Sequence, residues 1–195
     1  MLAEMPVAEL SLNELSRRVG LAKSNVLKYF ESREAVLLDL SSTELDGWVD
    51  DLAAALSDID PAEPLTERTD KLVADMVGTL AGRPVFCDLI SAQASVLERN
   101  ISTEVALAFK RAAGASYQRM IELILRILPE IRADGAARFL TSAALLAGAI
   151  WTHAHPAPPV LAAYEADPAL SEIRMEFEPA LRTALETLLH GVLPR

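Results

Sequence analysis

The sequence predicts an all-α protein in two parts, a helix-turn-helix head at residues 1–44 and a larger helical body at residues 45–195. Three observations carry this reading. Apolar residues recur three and four apart over most of the chain, which is the period of a helix with one buried face. Alanine and leucine are abundant while aromatics make up only 5% of 195 residues, a composition that favours helices over sheets. Glycine, proline and acidic breaks then cut the chain into stretches of helical length. Hydrophobic residues total 51%, ample for a core.

The elements follow in order. Ser11 and Glu14 make the pattern S-x-x-E, a capping box that opens a first helix. Leu12, Leu15 and Val19 give it one apolar face, and Gly20 can end it in the left-handed conformation. Ala22 to Phe30 is a second, short helix, too short to stand alone, which Val26 and Phe30 would pack onto the first. Ser32 caps a long helix through Val36, Leu37, Leu40, Leu45, Val49, Leu52 and Leu56. Asp58 to Pro64 reads as a proline-acid linker. Helices are then expected from Leu65 to Ala81, from Val85 to Glu98 and from Thr103 to Leu128. Asp134 is read as the cap of a helix from Gly135 to His153. His155 to Pro168, with four prolines, is read as a loop, and Asp167-Pro168 opens a last helix reaching Leu193.

Two short helices joined by a glycine turn form a helix-turn-helix, whose second helix enters the DNA major groove. The residues that this second helix would expose are Lys23, Ser24, Asn25, Lys28 and Tyr29; all can donate hydrogen bonds and none is acidic. Segment 11–33 holds five basic residues against two acidic ones, net +3, on a chain whose net charge is −10. A local basic island on an acidic protein suits a phosphate-binding surface. The candidate DNA contacts are Ser11, Lys23, Ser24, Asn25, Lys28, Tyr29 and Arg33. Lys28 and Arg33 are placed for phosphates, and Asn25 with Lys23 and Ser24 for base edges. The plain alternative is a solvated face on a small helical hairpin.

The run from Gly20 to Leu37 resembles the DNA-binding domain of the tetracycline-repressor (TetR/AcrR) family. Gly20, Leu21, Lys23, Val26, Tyr29, Phe30, Arg33, Glu34 and Leu37 follow its pattern. Ala22 departs where that family places a helix-capping serine. Leu27 departs where it places a tyrosine that meets a phosphate. Members of the family begin with a full first helix packed on the helix-turn-helix. Here only Met1 to Leu10 precede Ser11, and Pro6 leaves at most Met1 to Met5 as a helix end. The expectation is therefore a sequence that begins part way through the native protein.

The resemblance implies a homodimer that binds double-stranded operator DNA and responds to a small-molecule effector, most simply as a repressor released by it. It also implies pairing of the last two long helices with their copies. Ala143, Ala144, Ala147, Gly148 and Ala149 are small residues that permit close helix approach. Ala143, Ala147, Ile150, Ile173, Phe177, Leu181, Leu185 and Leu188 are the candidate interface; the alternative is that both stripes face the monomer's own core. The middle helices should enclose an effector pocket lined by Phe86, Ile90, Gln93, Leu97, Tyr117, Met120, Ile124 and Trp151. Gln93 and Tyr117 are the telling members, because a polar group in an apolar stripe needs a partner.

Other chemistry is faint. His153 and His155 lack a neighbouring cysteine or carboxylate at ligand spacing, so no metal is expected. His190 falls in the last turn of the last helix, where it suits the dipole. The one cysteine, Cys87, lies beside Phe86 and reads as a buried thiol; a single cysteine fits a reducing compartment, and the cytoplasm is the expected location. The longest apolar run, Ala143 to Trp151, is too short to span a bilayer. No phosphate loop, nucleophile elbow or zinc-protease motif occurs, so neither a cofactor nor an enzymatic activity is expected. The remaining alternatives are a helical protein–protein adaptor that does not bind DNA and, further off, an all-helical enzyme.

Overall fold

The computed structural model describes residue 7 and residues 10–18, 23–26 and 28–194, apart from the side chains of Leu15, Arg18, Lys23, Ser24 and Pro168. The described residues form helices and no strand. Helix α1 spans Leu12–Arg18 and α2 Lys23–Val26. Helix α3 spans Arg33–Ala55, α4 Leu65–Ala81 and α5 Pro84–Ala92. A π-helical turn, Gln93–Leu97, continues α5, and α6 spans Thr103–Ile127. After a short 3-10 turn come α7, Arg132–Ala154, α8, Pro158–Ala166, α9, Pro168–Ser171, and α10, Phe177–Val192.

Local chemistry explains the starts. The Glu14 N–H donates to Ser11 Oγ at 3.2 Å, the serine half of the capping box. Ser32 and Ser102 cap α3 and α6 by accepting from the N–H groups of Ala35 and Val105, at 3.1 and 3.2 Å. Pro84 opens α5, a position where its missing N–H costs nothing.

Two buried clusters hold the molecule together. The larger is filled by α3 (Trp48, Leu52), α4 (Leu72, Met76), α6 (Ile124, Ile127), α7 (Phe139, Leu140) and α10 (Leu181, Leu185). The smaller joins Val7, Leu10, Leu37 and Leu38 to Leu89, Ala92, Leu97 and Phe109. Thus the first turns of α3 pack on α5 and the π turn, while its later turns belong to the main core. The boundary expected between residues 44 and 45 falls inside this one continuous helix.

Three expectations change. Helix α7 begins at Arg132, so Asp134 lies within its first turn, and its carboxylate accepts from Arg138 at 2.9 Å rather than capping. The proline-rich segment read as a loop contains α8, because Pro158 and Pro159 sit in a first helical turn, where proline is tolerated. The last helix breaks after α9 and restarts at Phe177. Asp167 does open α9, its carboxylate accepting from the Ala169 N–H at 2.9 Å. Met1 to Met5, Pro6, Val19, Gly20, Leu21, Ala22 and Leu27 lie outside the described residues, so the glycine turn and the two family departures are not placed.

Candidate effector cavity and head surface

A cavity of about 700 Å³ lies in the body. Helix α3 gives it Ser41, Leu45 and Trp48, three residues at i, i+4 and i+7 and therefore on one face. Met76 and Leu80 come from α4, Phe86 and Ile90 from α5, and Tyr117 and Met120 from α6. The fifth wall is α7, through Leu140, Thr141, Ala144 and Gly148. The lining is mostly apolar with a few polar groups, the usual make-up of a small-molecule site. It is not fully enclosed: Ala144, Leu145, Ala149 and Thr152 of its α7 wall are exposed.

Of the lining expected from sequence, Phe86, Ile90, Gln93, Tyr117 and Met120 face the cavity. Leu97, Ile124 and Trp151 do not line it. Ile124 is fully buried in the main core, and Leu97 in the smaller cluster under the head. Trp151 packs edge-on against Phe177, ring centroids 5.0 Å apart, and against the His155 ring at 3.8 Å. Sequence reasoning missed the wall from α3. The available signal was Ser41 and Trp48, spaced to share one helical face with Leu45.

The polar lining is largely satisfied from within. Tyr117 donates its hydroxyl to the Ala137 carbonyl at 2.6 Å, and Thr141 Oγ1 lies 2.8 Å from the Tyr117 hydroxyl oxygen. Gln93 Nε2 and Lys110 Nζ both donate to Glu98 Oε1, at 2.8 and 2.6 Å. Burial pushes the Glu98 carboxyl up, but these two hydrogen bonds outweigh it and hold the group below its ordinary range. The same contacts brace the π turn, whose backbone closes with the Glu98 N–H donating to the Gln93 carbonyl at 3.0 Å. Trp48 is fixed by its indole N–H, which donates to Thr79 Oγ1 at 2.9 Å, and by the Phe86 ring 5.8 Å away.

The head presents part of its expected surface. Asn25 and Lys28 are exposed, and Lys28 Nζ donates to Asn25 Oδ1 at 3.1 Å. Tyr29 is 83% exposed, unusual for a large ring. Ser11 is exposed, with its oxygen engaged as a cap. Arg33 is placed differently from the phosphate contact expected of it. It is half-buried, donates to the Val7 carbonyl at 2.5 Å and pairs with Glu34 at 3.1 Å, so it fastens the N-terminal segment to α3. Two more ties join this end to the body: the Val7 N–H donates to Asp88 at 2.5 Å, and the Ser102 N–H to Glu31 at 2.6 Å. The Lys23 and Ser24 side chains are outside the described residues.

The stripes expected to meet a second copy are largely turned inward. Ala143, Ala147, Ile150, Phe177, Leu181 and Leu185 are buried in the chain's own core, so they present little surface to a second copy. Leu188 is half-buried against that core, and Ile173 alone is strongly exposed. The small residues of α7 serve an approach within the chain. A Cβ on Gly148 would sit 3.3 Å from the Ser91 Cα, so α7 and α5 cross closely there.

Among the described residues, a helical body with a side cavity is joined to a short-helix head through one long helix, so the cavity and a distant surface share α3. Residues 42–195 match the family described as Tetracyclin repressor-like, C-terminal domain, which covers most of the chain. The chain belongs to this family of transcription regulators. No curated protein matches it. Among the described residues, no helix is long and apolar enough to cross a membrane.

Proposed function

We propose that the protein is a dimeric, DNA-binding transcription regulator in which a small molecule in the body cavity controls operator binding, acting as a repressor that the effector releases. The observation that carries this reading is that Ser41, Leu45 and Trp48 line the cavity from α3, the helix whose first turns carry the head cluster. An occupant that favours one tilt of α3 changes the position of the head. By linkage, operator DNA and effector then weaken each other by the same factor. The reading includes a dimer, because two-fold operators need two heads roughly 34–36 Å apart.

The DNA surface is assigned to Lys28, Asn25, Tyr29, Ser11 and, from sequence alone, Lys23 and Ser24. Lys28 meets phosphate and Asn25 a base edge. The test is a salt series of binding to random duplex DNA, followed by selection of a preferred site. Lys28→Ala should weaken all sequences alike and flatten the log-affinity against log-salt slope by roughly one unit per head. Asn25→Ala should cost about 1–3 kcal/mol on the preferred site and little on random duplex. Wild-type protein that ignores duplex DNA even at low salt would leave a helical adaptor as the better account.

A further inference from the structure

We infer that Ser41 is the polar anchor of the cavity, and that the cavity takes a neutral, mostly apolar molecule carrying one hydrogen-bonding group that meets the Ser41 hydroxyl. This rests on the reading of the cavity as the effector site and specifies what enters it. Ser41 is only 3% exposed and lines the cavity from α3. Buried hydroxyls in proteins find partners, and a serine in mid-helix ordinarily finds the carbonyl four residues back. The next serine along, Ser42, does so, donating to the Leu38 carbonyl at 3.2 Å. Ser116, Ser91 and Thr152 also have intramolecular partners. Among the described residues Ser41 has no side-chain hydrogen-bond partner, yet its oxygen is not sealed off like the orphaned Asp75 Oδ2. The hydroxyl therefore opens onto the cavity without a partner among the described residues.

The charge balance of the wall sets the class of molecule. Lys110 is the one charged residue on the described lining, and it already pairs with Glu98 at 2.6 Å. Among the described residues no carboxylate lines the cavity, so a cation would enter without a counter-charge on its wall. An anion would have to take Lys110 from Glu98 and leave that carboxylate beside it. A neutral ligand breaks nothing. It lays its apolar body against Trp48, Phe86 and Met120, and its hydroxyl, carbonyl or amide satisfies Ser41. Because Ser41 sits one turn beyond Leu37 and Leu38, which pack in the head cluster, this contact is made on the helix that carries the head.

The test uses four probes with one apolar tail and different heads: octane, octanol, octanoate and octylammonium. Binding to the full chain is followed by calorimetry, with thermal shift as a second readout. Octanol should bind more tightly than octanoate or octylammonium. Ser41→Ala should weaken octanol about fivefold, the loss of one ordinary hydrogen bond, and leave octane unchanged. Without ligand, Ser41→Ala should melt at or slightly above the wild-type temperature, since no internal bond is lost and alanine is the better helix former. Equal octanol affinity in wild type and Ser41→Ala overturns the anchor and leaves the cavity as a site. Preference for octanoate or octylammonium overturns the neutral class. If no probe binds wild type, both the inference and the effector reading of the cavity fail.

Discussion

At the residue scale, Arg68 shows how much one side chain can join. It is only 4% exposed, yet it donates to two carbonyls, Ile127 at 2.6 Å and Glu63 at 2.8 Å. It also grips Glu130 with two nitrogens, at 2.6 and 3.1 Å. It thus ties the linker and α4 to the end of α6. Arg68→Met keeps the bulk and removes every donor. The expected loss is about 2–3 kcal/mol in urea unfolding, below the ~3–5 kcal/mol of a fully buried pair because Glu130 is partly solvated. The hydrogen bond from Arg68 outweighs burial and holds the Glu130 carboxyl below its ordinary range. A depressed folded value adds stability above the unfolded value, near ~4.3, and that stability is lost as pH falls through the folded value. Glu130→Gln should therefore flatten the acid limb of the stability profile; an unchanged limb would assign the acid sensitivity to other carboxylates. Cys87 is the opposite kind of residue. Burial pushes its thiol up to about 12, and its Sγ donates to the Leu80 carbonyl. Iodoacetamide at pH 8 should label it only in denaturant, and rapid native labelling would mean that α5 opens readily.

At the element scale, two glycines make a matched pair. Gly114 sits in α6 with nothing near its missing Cβ, so Gly114→Ala should gain about 0.5–1 kcal/mol from helix propensity alone. At Gly148 the added carbon would meet Ile90 Cγ2 at 3.2 Å and the Ser91 Cα at 3.3 Å. The Ser91 contact is backbone, so α5 must move, and overpacking should exceed the propensity gain by about 1 kcal/mol. Equal stabilisation of both variants would show that the α5–α7 contact is loose. This pair also marks what the sequence made legible. Helical period, the serine cap at Ser32 and the helix bounds at Leu65, Ala81 and Thr103 were legible to within a residue, whereas the start of α7 at Arg132 and the π turn after α5 were not. The order of helices was legible, but the partner of each face was not. A stripe of Ala143, Ala147, Leu181 and Leu185 looks the same whether it meets α5 and α4 or a second copy. Pro158 and Pro159 misled because prolines that open a helix look like prolines that forbid one. In the cavity, Gln93 and Tyr117 were legible as polar groups within apolar stripes. Ser41 was not, because serine in a long helix is ordinary until its partner is found missing.

At the scale of the whole molecule, the burial pattern moves the proposed dimer seam from the inward stripes to the outward ones. Leu145 on α7 is 71% exposed and Ile173, between α9 and α10, is 70% exposed; Leu146, Leu170 and Met175 are exposed as well. Single exposed leucines need no explanation, but two stretches with several large apolar residues left exposed, 145–146 and 170–175, are the candidates for an association surface. A stable seam has to bury roughly 1,000 Å² or more, so it must draw on both regions. The expected outcome follows from what each residue touches. Wild type should sediment as a dimer at micromolar concentration. Leu145→Glu and Ile173→Glu, made separately, should each shift it toward monomer while helical content and melting temperature stay close to wild type, because neither side chain is needed inside the fold. Leu181→Asp should do something different: with 0% exposure, a carboxylate there has no route to water, and the body should lose cooperative unfolding. If Leu145→Glu and Ile173→Glu both stay dimeric, the copies meet elsewhere. If wild type is itself a monomer, two heads cannot be presented at a fixed spacing, and the mode of operator reading proposed above fails with it.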